Sequence, residues 1–374
     1  MTPFRTHHLL KILDESERAP FPLDAFLRFY FRNHKSIGSK DRQEICSALY
    51  GMVRWKGLID SQIIKPITWE KRLAVFLNFP IERSDLLPPH IQVSAPKFFF
   101  DKLVAAYGSS LARTLALDSN QTAPTMVRVN TLKVERTTLF SKWKDLYSVS
   151  LCRHSNCGII FEKKINFFGM EEFKEGLFEI QDEGSQLVAD HLEVGRNDHV
   201  LDYCAGSGGK TLAFAPKMQN KGQVYLYDLR EKALQEAKKR LHRAGIQNAQ
   251  ILSKEKLLKR GMRERMTWIL LDVPCSGTGT LRRNPDMKWK LSQEMIDRLK
   301  EEQRKIFDES LNYLHPSGRI VYATCSILPE ENQEQVTHFI QKYNLKLEKP
   351  LFQSFPKPGE MDGFFCAVLS RVKP

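Results

Sequence analysis

The chain has 374 residues, of which 42% are hydrophobic and 27% are charged. This composition excludes a disordered or collagen-like protein and leaves room for two or three domains. The best apolar run, Trp268–Val273, is much shorter than the roughly 18 residues of a membrane-spanning helix, and the N-terminal segment lacks the continuous apolar core of a secretory signal. We therefore expect a cytoplasmic protein with no membrane partner.

A formal charge of +13, from 57 lysines and arginines against 44 acidic residues, favours a polyanionic partner, and nucleic acid is the leading candidate. The seven cysteines are scattered and form no CxxC pair, which indicates reduced thiols rather than a disulfide framework. Cys152, His154 and Cys157 have no second ligand pair at zinc-finger spacing, so we predict no metal site.

The first region, residues 1–92, is predicted to be an all-α bundle. Apolar residues recur at helical spacing in Leu23–Phe31 and Arg42–Trp55, and neither segment shows the alternation of a strand. The polar, proline-bearing stretch Arg83–Pro96 indicates a linker or a break before the next element.

The second region, residues 93–194, is predicted to be a small α+β region. A helix-like segment precedes the strand-like run Met126–Asn130, and further short elements follow. The region ends in Ile180–Leu192, a predicted helix whose first amides could be capped by Asp182 or Ser185.

The third region, residues 195–374, alternates between strands and helices. Strands are predicted at Val200–Asp202, Val224–Tyr227, Trp268–Leu271 and Ile320–Ala323. The helix after the second strand is predicted to place one apolar face inward: Leu229, Ala233, Leu234, Ala237, Leu241 and Ala244. This alternation is typical of a doubly wound parallel sheet, so we predict an α/β, Rossmann-like domain.

The segment Asp202–Thr211 (DYCAGSGGKT) is a glycine-rich turn between a predicted strand and a predicted helix. Cys204 occupies the position where a P-loop needs its first glycine, and the glycines do not fit the dinucleotide fingerprint either. Asp228 ends the next strand 19 residues after Gly209, about the interval at which a carboxylate binds ribose hydroxyls. A purely structural turn with a capping aspartate would give a similar pattern, but the paired carboxylate favours a nucleotide cofactor, and S-adenosylmethionine fits.

Two cysteines follow predicted strands at the carboxyl edge of this sheet. Cys275 lies in the segment DVPCSGTG, which begins at Asp272, and Cys325 lies in TCS after a later strand. Either thiol alone is more often a small buried hydrophobe than a nucleophile. Methylation of carbon 5 of cytosine, however, needs a thiolate that adds at carbon 6, a carboxyl group at ring nitrogen 3, and assistance when the adduct collapses. Two thiols and an aspartate at one edge predict this chemistry.

These motifs resemble the RNA (cytosine-5) methyltransferase family, in particular its bacterial ribosomal-RNA branch of RsmB-like proteins. The resemblance is carried by the separated segments Arg128–Lys133, Gln181–Ala189, Asp202–Thr211, Asp272–Trp289 and Tyr322–Val336. The segment Gly38–Trp55 is also similar to the all-helical, antitermination-factor-like RNA-binding domain of this branch. The resemblance implies S-adenosylmethionine-dependent methylation of carbon 5 of a cytosine in RNA, with 16S ribosomal RNA as the expected substrate.

By this resemblance, Cys325 is the nucleophile, Cys275 promotes product release, and Asp272 contacts both the target base and the methionine end of the cofactor. The implied cofactor-binding residues are Cys204, Ala205, Gly206, Ser207, Gly208, Gly209, Lys210 and Asp228, together with Asp272. The family usually has an Ala-Pro pair where this chain has Gly206-Ser207, which changes the stiffness of the loop. Glu255 is a candidate for the acidic residue that contacts the adenine.

Basic residues after the Cys275 motif are expected to border the RNA path, where cations bind phosphates: Arg282, Arg283, Lys288 and Lys290. A second basic run, from Lys254 to Arg265, is expected to be an exposed helix or loop. Two alternatives stay open from the sequence, namely an RNA-binding protein that keeps the fold without the reaction, and methylation of cytosine in DNA. We expect a monomer whose partner is RNA.

Overall fold

The computed structural model describes residues 1–19, 22–78, 85–163 and 165–372 of the chain. The chain separates into two units, which we call the helical unit and the sheet unit. The helical unit comprises Met1–Thr122, Thr280–Gln293 and Pro356–Pro358. The sheet unit comprises Ala123–Gly279, Glu294–Phe355 and Gly359–Pro374. Within the described residues, no helix is both long and apolar enough to cross a membrane.

The helical unit is built from helices whose apolar residues recur every three or four positions. Its helices in the described ranges are α1 Pro3–Glu17, α2 Leu23–Asn33, α3 Ser39–Arg54, α4 Lys56–Asp60, α5 Trp69–Leu77, α6 Pro89–Gln92 and α7 Lys97–Asp118. The apolar residues that predicted α3 are all buried: Ile45, Leu49, Met52 and Val53. The helices predicted at Leu23–Phe31 and Arg42–Trp55 are thereby confirmed as α2 and α3.

The helical unit extends beyond residue 92, where the sequence places its first boundary, because α7 belongs to it. Pro89 opens α6 and Pro96 directly precedes α7, so the prolines after residue 88 stand at helix starts. Arg83 and Ser84, the first residues of the predicted linker, lie outside the described residues. The division of the chain into regions 1–92, 93–194 and 195–374 stays a prediction.

Two of the four basic residues assigned to the RNA path are buried in the helical unit, so the prediction was wrong for Arg282 and Lys288. The Lys288 ammonium donates hydrogen bonds to the carbonyl oxygens of Arg54 (2.6 Å) and Ser94 (2.7 Å) and to Oδ1 of Asn120 (2.5 Å). Burial, with a contribution from the Arg54 charge, lowers the pKa of Lys288 well below its ordinary value. Three internal acceptors replace the water or phosphate that a surface lysine would bind.

The sheet unit begins with a four-stranded antiparallel sheet in the order β2-β3-β1-β4. Its elements are β1 Thr125–Val129, α8 Arg136–Trp143, β2 Val149–Leu151, β3 Gly158–Phe161, α9 Glu171–Lys174, β4 Phe178–Ile180 and α10 Glu183–Asp190. Trp143 is fully buried against Phe161 and Phe178 at the centre of its core. Asp182 caps α10 by accepting from the Gly184 amide (2.8 Å), so one of the two predicted caps is present.

The larger sheet has eight strands among the described residues, in the order β10-β12-β9-β8-β5-β6-β7 with β11 paired to β12. Its strands are β5 His199–Asp202, β6 Gln223–Leu226, β7 Ala249–Ile251, β8 Met266–Asp272, β9 Leu314–Thr324, β10 Leu345–Leu347, β11 Phe352–Gln353 and β12 Phe365–Arg371. Its helices are α11 Thr211–Phe214, α12 Glu231–Ala244, α13 Lys254–Leu257, α14 Gln293–Ser310 and α15 Gln333–Tyr343. Strands β5 to β9 are parallel, with separate apolar clusters on the two faces, which confirms the Rossmann-like fold.

The functional edge of this sheet follows from its strand order. The chain passes from β5 to β6 on one side of β5 and later enters β8 on the other side, so the strand order reverses between β5 and β8. Ligands bind in the crevice outside the carboxyl ends of the strands at such a switch point. Asp202 ends β5, Asp272 ends β8, and Cys325 directly follows β9.

The sequence missed β7 and the antiparallel strands β10 to β12. Helix α12 confirms the predicted amphipathic helix, with Leu234, Ala237, Leu241 and Ala244 buried. Leu229 does not share this face, because α12 begins only at Glu231, and the Leu229 side chain is 76% exposed. Gly245 ends the helix in the left-handed conformation, where a glycine is unstrained.

Candidate functional site

The glycine-rich turn folds as a loop that joins β5 to α11. Gly206 and Gly208 both have positive φ (52° and 77°), a region that other residues rarely adopt. A Cβ on Gly208 would lie 3.2 Å from Cβ of Ala237, so a side chain there would press the loop away from α12. The Gly206 amide donates to Oδ2 of Asp228 (2.8 Å), which links the loop directly to the end of β6.

Asp228, the predicted ribose-binding carboxylate, is buried at this junction. Besides the Gly206 amide, it accepts from the Arg230 amide (2.8 Å) and from the Arg230 guanidinium (3.0 Å to each oxygen). Burial alone would raise the pKa of Asp228, but these donors hold it below its ordinary value, so the carboxylate is ionised at neutral pH. The Arg230 side chain is 73% exposed, so its ion pair with Asp228 lies open to solvent.

A cavity of about 1030 Å³ opens beside the loop within the sheet unit. Every predicted site residue except Gly208 lines it: Cys204, Ala205, Gly206, Ser207, Gly209, Lys210, Asp228, Asp272, Cys275 and Cys325. A smaller cavity of about 450 Å³ shares Asp228 with it and is lined by Glu255 as well. The larger cavity exceeds the volume of a typical small-ligand pocket, so it has room for a cofactor and a second, base-sized group.

The two motif cysteines both line this cavity and contact each other there. The Cys275 and Cys325 sulfurs are 3.4 Å apart, and the Cys325 amide donates to the Cys275 sulfur (3.3 Å). Both side chains are half-buried, so the thiols are close to each other and still reachable from the cavity. The structure thus brings together the two residues that the sequence could place only at the same sheet edge.

Charge around the thiols distinguishes Cys325 from Cys275. The hydrogen bond from the Cys275 thiol lowers the pKa of Cys325, against the opposing effect of burial, and the Lys210 ammonium lowers it further. The same hydrogen bond and burial raise the pKa of Cys275 well above its ordinary value. Lys210 also forms an ion pair with Asp272 (2.5 Å), and both side chains line the cavity. Of the two thiols, Cys325 is therefore the one that ionises more readily.

We expect Cys325 to react with iodoacetamide at a lower pH than an ordinary cysteine, because alkylation requires the thiolate and its pKa is lowered. Replacing Cys275 with alanine removes the donor, so the pKa rises and the alkylation curve shifts to higher pH. Mass spectrometry of the Cys325 peptide measures the rate without any RNA or cofactor. Cys366, buried with its pKa raised to about 12, is an internal control that stays unlabelled; an unchanged curve in Cys275→Ala would refute this charge assignment.

Glu331 is a buried residue that the sequence analysis missed and that holds the Cys275 loop. Its carboxylate accepts from the Ser276 amide (2.9 Å), the Ser276 hydroxyl (2.5 Å) and the Gln303 amide group (3.1 Å). The side chain of Gln303 also donates to the Pro274 carbonyl (3.0 Å). Glu331 lies in the Tyr322–Val336 segment that carries the resemblance, but an acidic residue before α15 reads from sequence as a solvated helix start.

Replacing Glu331 with alanine should destabilise the sheet unit by about 3 kcal/mol or more, since three buried donors lose their acceptor at about 1–3 kcal/mol each. Glu331→Gln retains one acceptor oxygen and should lose less. Calorimetry of thermal unfolding measures the effect. Glu334→Ala, at an exposed position in α15, is the matched control and should stay within about 0.5 kcal/mol of the parent; equal losses in both variants would contradict the role given to Glu331.

The acidic side chains of the larger cavity fit a cofactor that carries both cationic and hydroxyl groups. Asp202 is buried, its Oδ2 accepts from Thr211 (2.6 Å), and its Oδ1 has no hydrogen-bond partner. Burial raises the pKa of Asp202 to about 7, with a smaller contribution from the Asp272 charge. A buried acceptor without a donor needs one from a ligand or water. Asp202, Asp228 and Asp272 together place three carboxyl groups on the cavity wall, which is compatible with the cationic and hydroxyl groups of the predicted cofactor.

In the described part of the chain, no group of three or more His, Cys, Asp and Glu side chains is arranged to hold a metal ion. The basic residues of the predicted second run are exposed, and Lys254 is the one among them that lines the larger cavity: Lys254, Lys256, Lys259, Arg260, Arg263 and Arg265. Glu255 lies at the smaller cavity, where its side chain accepts from Ser253. Its contact with an adenine stays a prediction.

Comparison with known families gives two matches. The family model of 16S rRNA methyltransferase RsmB/F matches residues 189–370, and the model of the ferredoxin-like domain of RsmF/B-like methyltransferases matches residues 95–167. The second match contains β1 to β3 of the antiparallel sheet, and the first contains both cysteine motifs and the glycine loop.

Curated relatives agree with the family models. The ribosomal RNA small subunit methyltransferase B of Proteus mirabilis (strain HI4320) is 32% identical over 283 residues, which are 74% of this chain and 65% of the relative. That of Vibrio vulnificus (strain YJ016) is 33% identical over 266 residues, 69% of this chain and 62% of the relative. The matched part of the chain therefore spans a little under two thirds of the length of these relatives.

Solved structures share the fold. The crystal structure of PH0851 has a TM-score of 0.83 at 21% identity and covers 99% of each chain. A methyltransferase homologue from Pyrococcus horikoshii has a TM-score of 0.67 at 25% identity and covers 76% of this chain and 98% of its own. The methyltransferase assignment confirms S-adenosylmethionine as the predicted cofactor. Over residues 95–167 and 189–370, the chain belongs to the RsmB/F family of methyltransferases.

Proposed function

We propose that this protein methylates carbon 5 of a cytosine in RNA through a covalent adduct of Cys325 at carbon 6. The observation that carries the proposal is the pair of thiols 3.4 Å apart beside the cofactor cavity. A methyltransferase acting on an amine or hydroxyl needs a base or a positioning group, and it has no use for two adjacent thiols. Cytosine carbon 5 requires both a nucleophile and a group that assists its departure.

Cys325 begins the reaction in this scheme. Its thiolate adds to carbon 6, a sulfur–carbon bond forms, and the ring electrons shift so that carbon 5 becomes nucleophilic and nitrogen 3 accepts a proton. The proton comes from the Lys210–Asp272 pair, whose charged groups lie 2.5 Å apart at the cavity wall. The lowered pKa of Cys325 supports its role as the nucleophile.

The bound cofactor supplies an electrophilic methyl group to carbon 5. Cys204–Ser207, Gly209 and Lys210 line its cavity, while Asp228 and Asp272 offer carboxylates to its ribose and its amino-acid end. Once carbon 5 carries the methyl group, its proton has to leave and the bond between Cys325 and carbon 6 has to break. Cys275, in contact with the Cys325 sulfur, stands where it can assist both events.

We also propose the RNA and the parts of the chain that bind it. The names of the relatives support small-subunit ribosomal RNA as the substrate. Residues 1–92 form an RNA-binding domain in this proposal, residues 93–194 link it to the catalytic region, and residues 195–374 carry the reaction. The formal charge of +13 supports a polyanionic substrate. The protein acts as a monomer in the cytoplasm.

The test is to incubate the protein with methyl-labelled S-adenosylmethionine and unmodified small-subunit ribosomal RNA, and to identify the labelled nucleoside by mass spectrometry. We expect 5-methylcytidine. Large-subunit RNA, tRNA and DNA of the same sequence are compared in parallel reactions. Label in another nucleoside would refute the carbon 5 chemistry, and preferential label in DNA would refute the RNA substrate. Bisulfite sequencing of RNA from cells with and without the gene then locates the cytosine.

A further inference from the structure

An arginine of α12 holds the middle of the cofactor loop. Nη1 of Arg240 donates to both the carbonyl oxygen (2.9 Å) and the hydroxyl oxygen (2.8 Å) of Ser207. Ser207 lies between Gly206 and Gly208, the two loop residues with positive φ. Arg240 and Ser207 both line the larger cavity, so this contact is part of the wall that a cofactor meets.

The position of Arg240 is fixed from the antiparallel sheet. Its Nε and Nη2 donate to Oε2 of Glu179 (3.3 and 3.0 Å), a β4 residue whose side chain is only 5% exposed. Arg243, one turn along α12, pairs with the other oxygen of the same carboxylate (2.5 Å). A forked guanidinium that bridges a buried carboxylate and a loop carbonyl is strongly oriented, because each of its donors has a fixed direction.

A second contact from the same sheet holds the other end of the loop. The Gly209 carbonyl accepts from Nη1 of Arg128 (3.1 Å) and from the Gln181 amide group (3.2 Å), and Arg128 also donates to Gln181. Burial lowers the pKa of Arg128 to about 10, so it remains protonated at neutral pH. The antiparallel sheet therefore restrains main-chain carbonyls at two points of the glycine loop.

The loop needs such restraint because it combines three glycines with a serine. Glycine loses more conformational freedom on ordering than any other residue. A ligand that must order a loop therefore binds more weakly, because part of the binding free energy offsets this loss of entropy. A restraint that exists before binding removes part of this cost. Since the Arg240 contact acts on the loop rather than on the reacting atoms, it should affect cofactor affinity and leave the chemical step nearly unchanged.

We propose that Arg240, anchored on Glu179, is a positioning residue that preorganises the Ser207 turn for S-adenosylmethionine and thereby makes cofactor affinity depend on the antiparallel sheet. The inference rests on the cofactor part of the proposed function and not on which base is methylated. Arg240 acts through Ser207, while Gly206 and Asp228 remain the groups that face the cofactor.

The experiment measures the dissociation constant for S-adenosylmethionine by calorimetry, with the full chain and without RNA. Arg240→Met should raise the constant about tenfold, through the loss of the two hydrogen bonds to Ser207. Ser207→Ala retains the carbonyl acceptor and should raise it about threefold. Arg240→Lys keeps the charge and a single flexible donor, and should recover part of the affinity. At saturating cofactor, kcat of Arg240→Met should stay within about threefold of the parent, while KM for the cofactor rises.

Arg243→Met is the matched control. It removes an ion pair to the same Glu179 carboxylate but no hydrogen bond to the loop, so its dissociation constant should stay within about twofold of the parent. If Arg240→Met and Arg243→Met weaken S-adenosylmethionine binding equally, Arg240 has only a structural role and the inference is overturned. An unchanged cofactor affinity in Arg240→Met would overturn it as well. Because binding is measured without RNA, a protein that binds cofactor normally but fails to methylate cytosine would overturn the proposed function and leave this inference standing.

Discussion

Replacing Cys325 with alanine is expected to reduce methyl transfer to RNA by on the order of 10⁴-fold or more, the loss typical when a nucleophile is removed. The physical reason is that carbon 5 of cytosine becomes nucleophilic only after a thiolate has added at carbon 6. Alanine cannot form that bond, and Cys275, with its raised pKa, is a poor substitute. The measurement is incorporation of labelled methyl groups into small-subunit ribosomal RNA at saturating cofactor.

Two comparisons make the Cys325 result specific. Cofactor affinity should be unchanged in Cys325→Ala, because the loop and its carboxylates are untouched. Cys157→Ala is the matched control, since Cys157 is a half-buried cysteine of the same unit outside the described lining of the larger cavity. Methylation that persists undiminished in Cys325→Ala would discard the covalent mechanism, even if the product is 5-methylcytidine.

Replacing Cys275 with alanine is expected to trap a covalent protein–RNA complex that survives denaturation. Cys325 can still add to carbon 6 in this variant, but the neighbour that assists departure, 3.4 Å away in the parent, is missing. The complex should accumulate as a slowly migrating band on a denaturing gel with end-labelled RNA. Because loss of the Cys275 donor also raises the pKa of Cys325, the complex should form faster at pH 9 than at pH 7.

The double variant Cys275→Ala, Cys325→Ala is the control for this experiment. It should form no complex, because the attacking thiolate is absent. Normal turnover by Cys275→Ala, with free methylated RNA and no complex, would remove the role assigned to Cys275. A complex that persists in the double variant would show that another residue bonds to the RNA.

The two cysteines also show which features of the site can be predicted from the sequence. Each follows an apolar run that reads as a buried strand, and the carboxyl ends of parallel strands share one edge, so the pattern places both thiols on the same side of the sheet. The pattern does not determine which strands are neighbours in the sheet. That β8 and β9 are neighbours, and that the sulfurs therefore meet, depends on the pairing of residues about fifty positions apart.

For two basic residues, in contrast, the location predicted from the sequence was wrong. Lys288 and Arg282 follow the Cys275 motif in a basic chain, and the sequence placed them at an RNA surface. The structure buries both, because acceptors from distant parts of the helical unit face them: two backbone carbonyls and Asn120 for Lys288, and the Lys357 carbonyl for Arg282. Arg240 and Glu331 were missed for the same reason, since each acts on a loop far away along the chain.

By itself, the sequence determined the Rossmann-like alternation, the glycine loop and its acidic partner, and the thiol and carboxylate groups available for chemistry, because these are written in short-range periodicity and spacing. Only the tertiary structure decided which thiol ionises more readily, which carboxyl oxygen lacks a donor, and which arginine holds the glycine loop. Those properties depend on burial and on partners brought together from distant segments, and electrostatic effects become strong only where the fold has removed water.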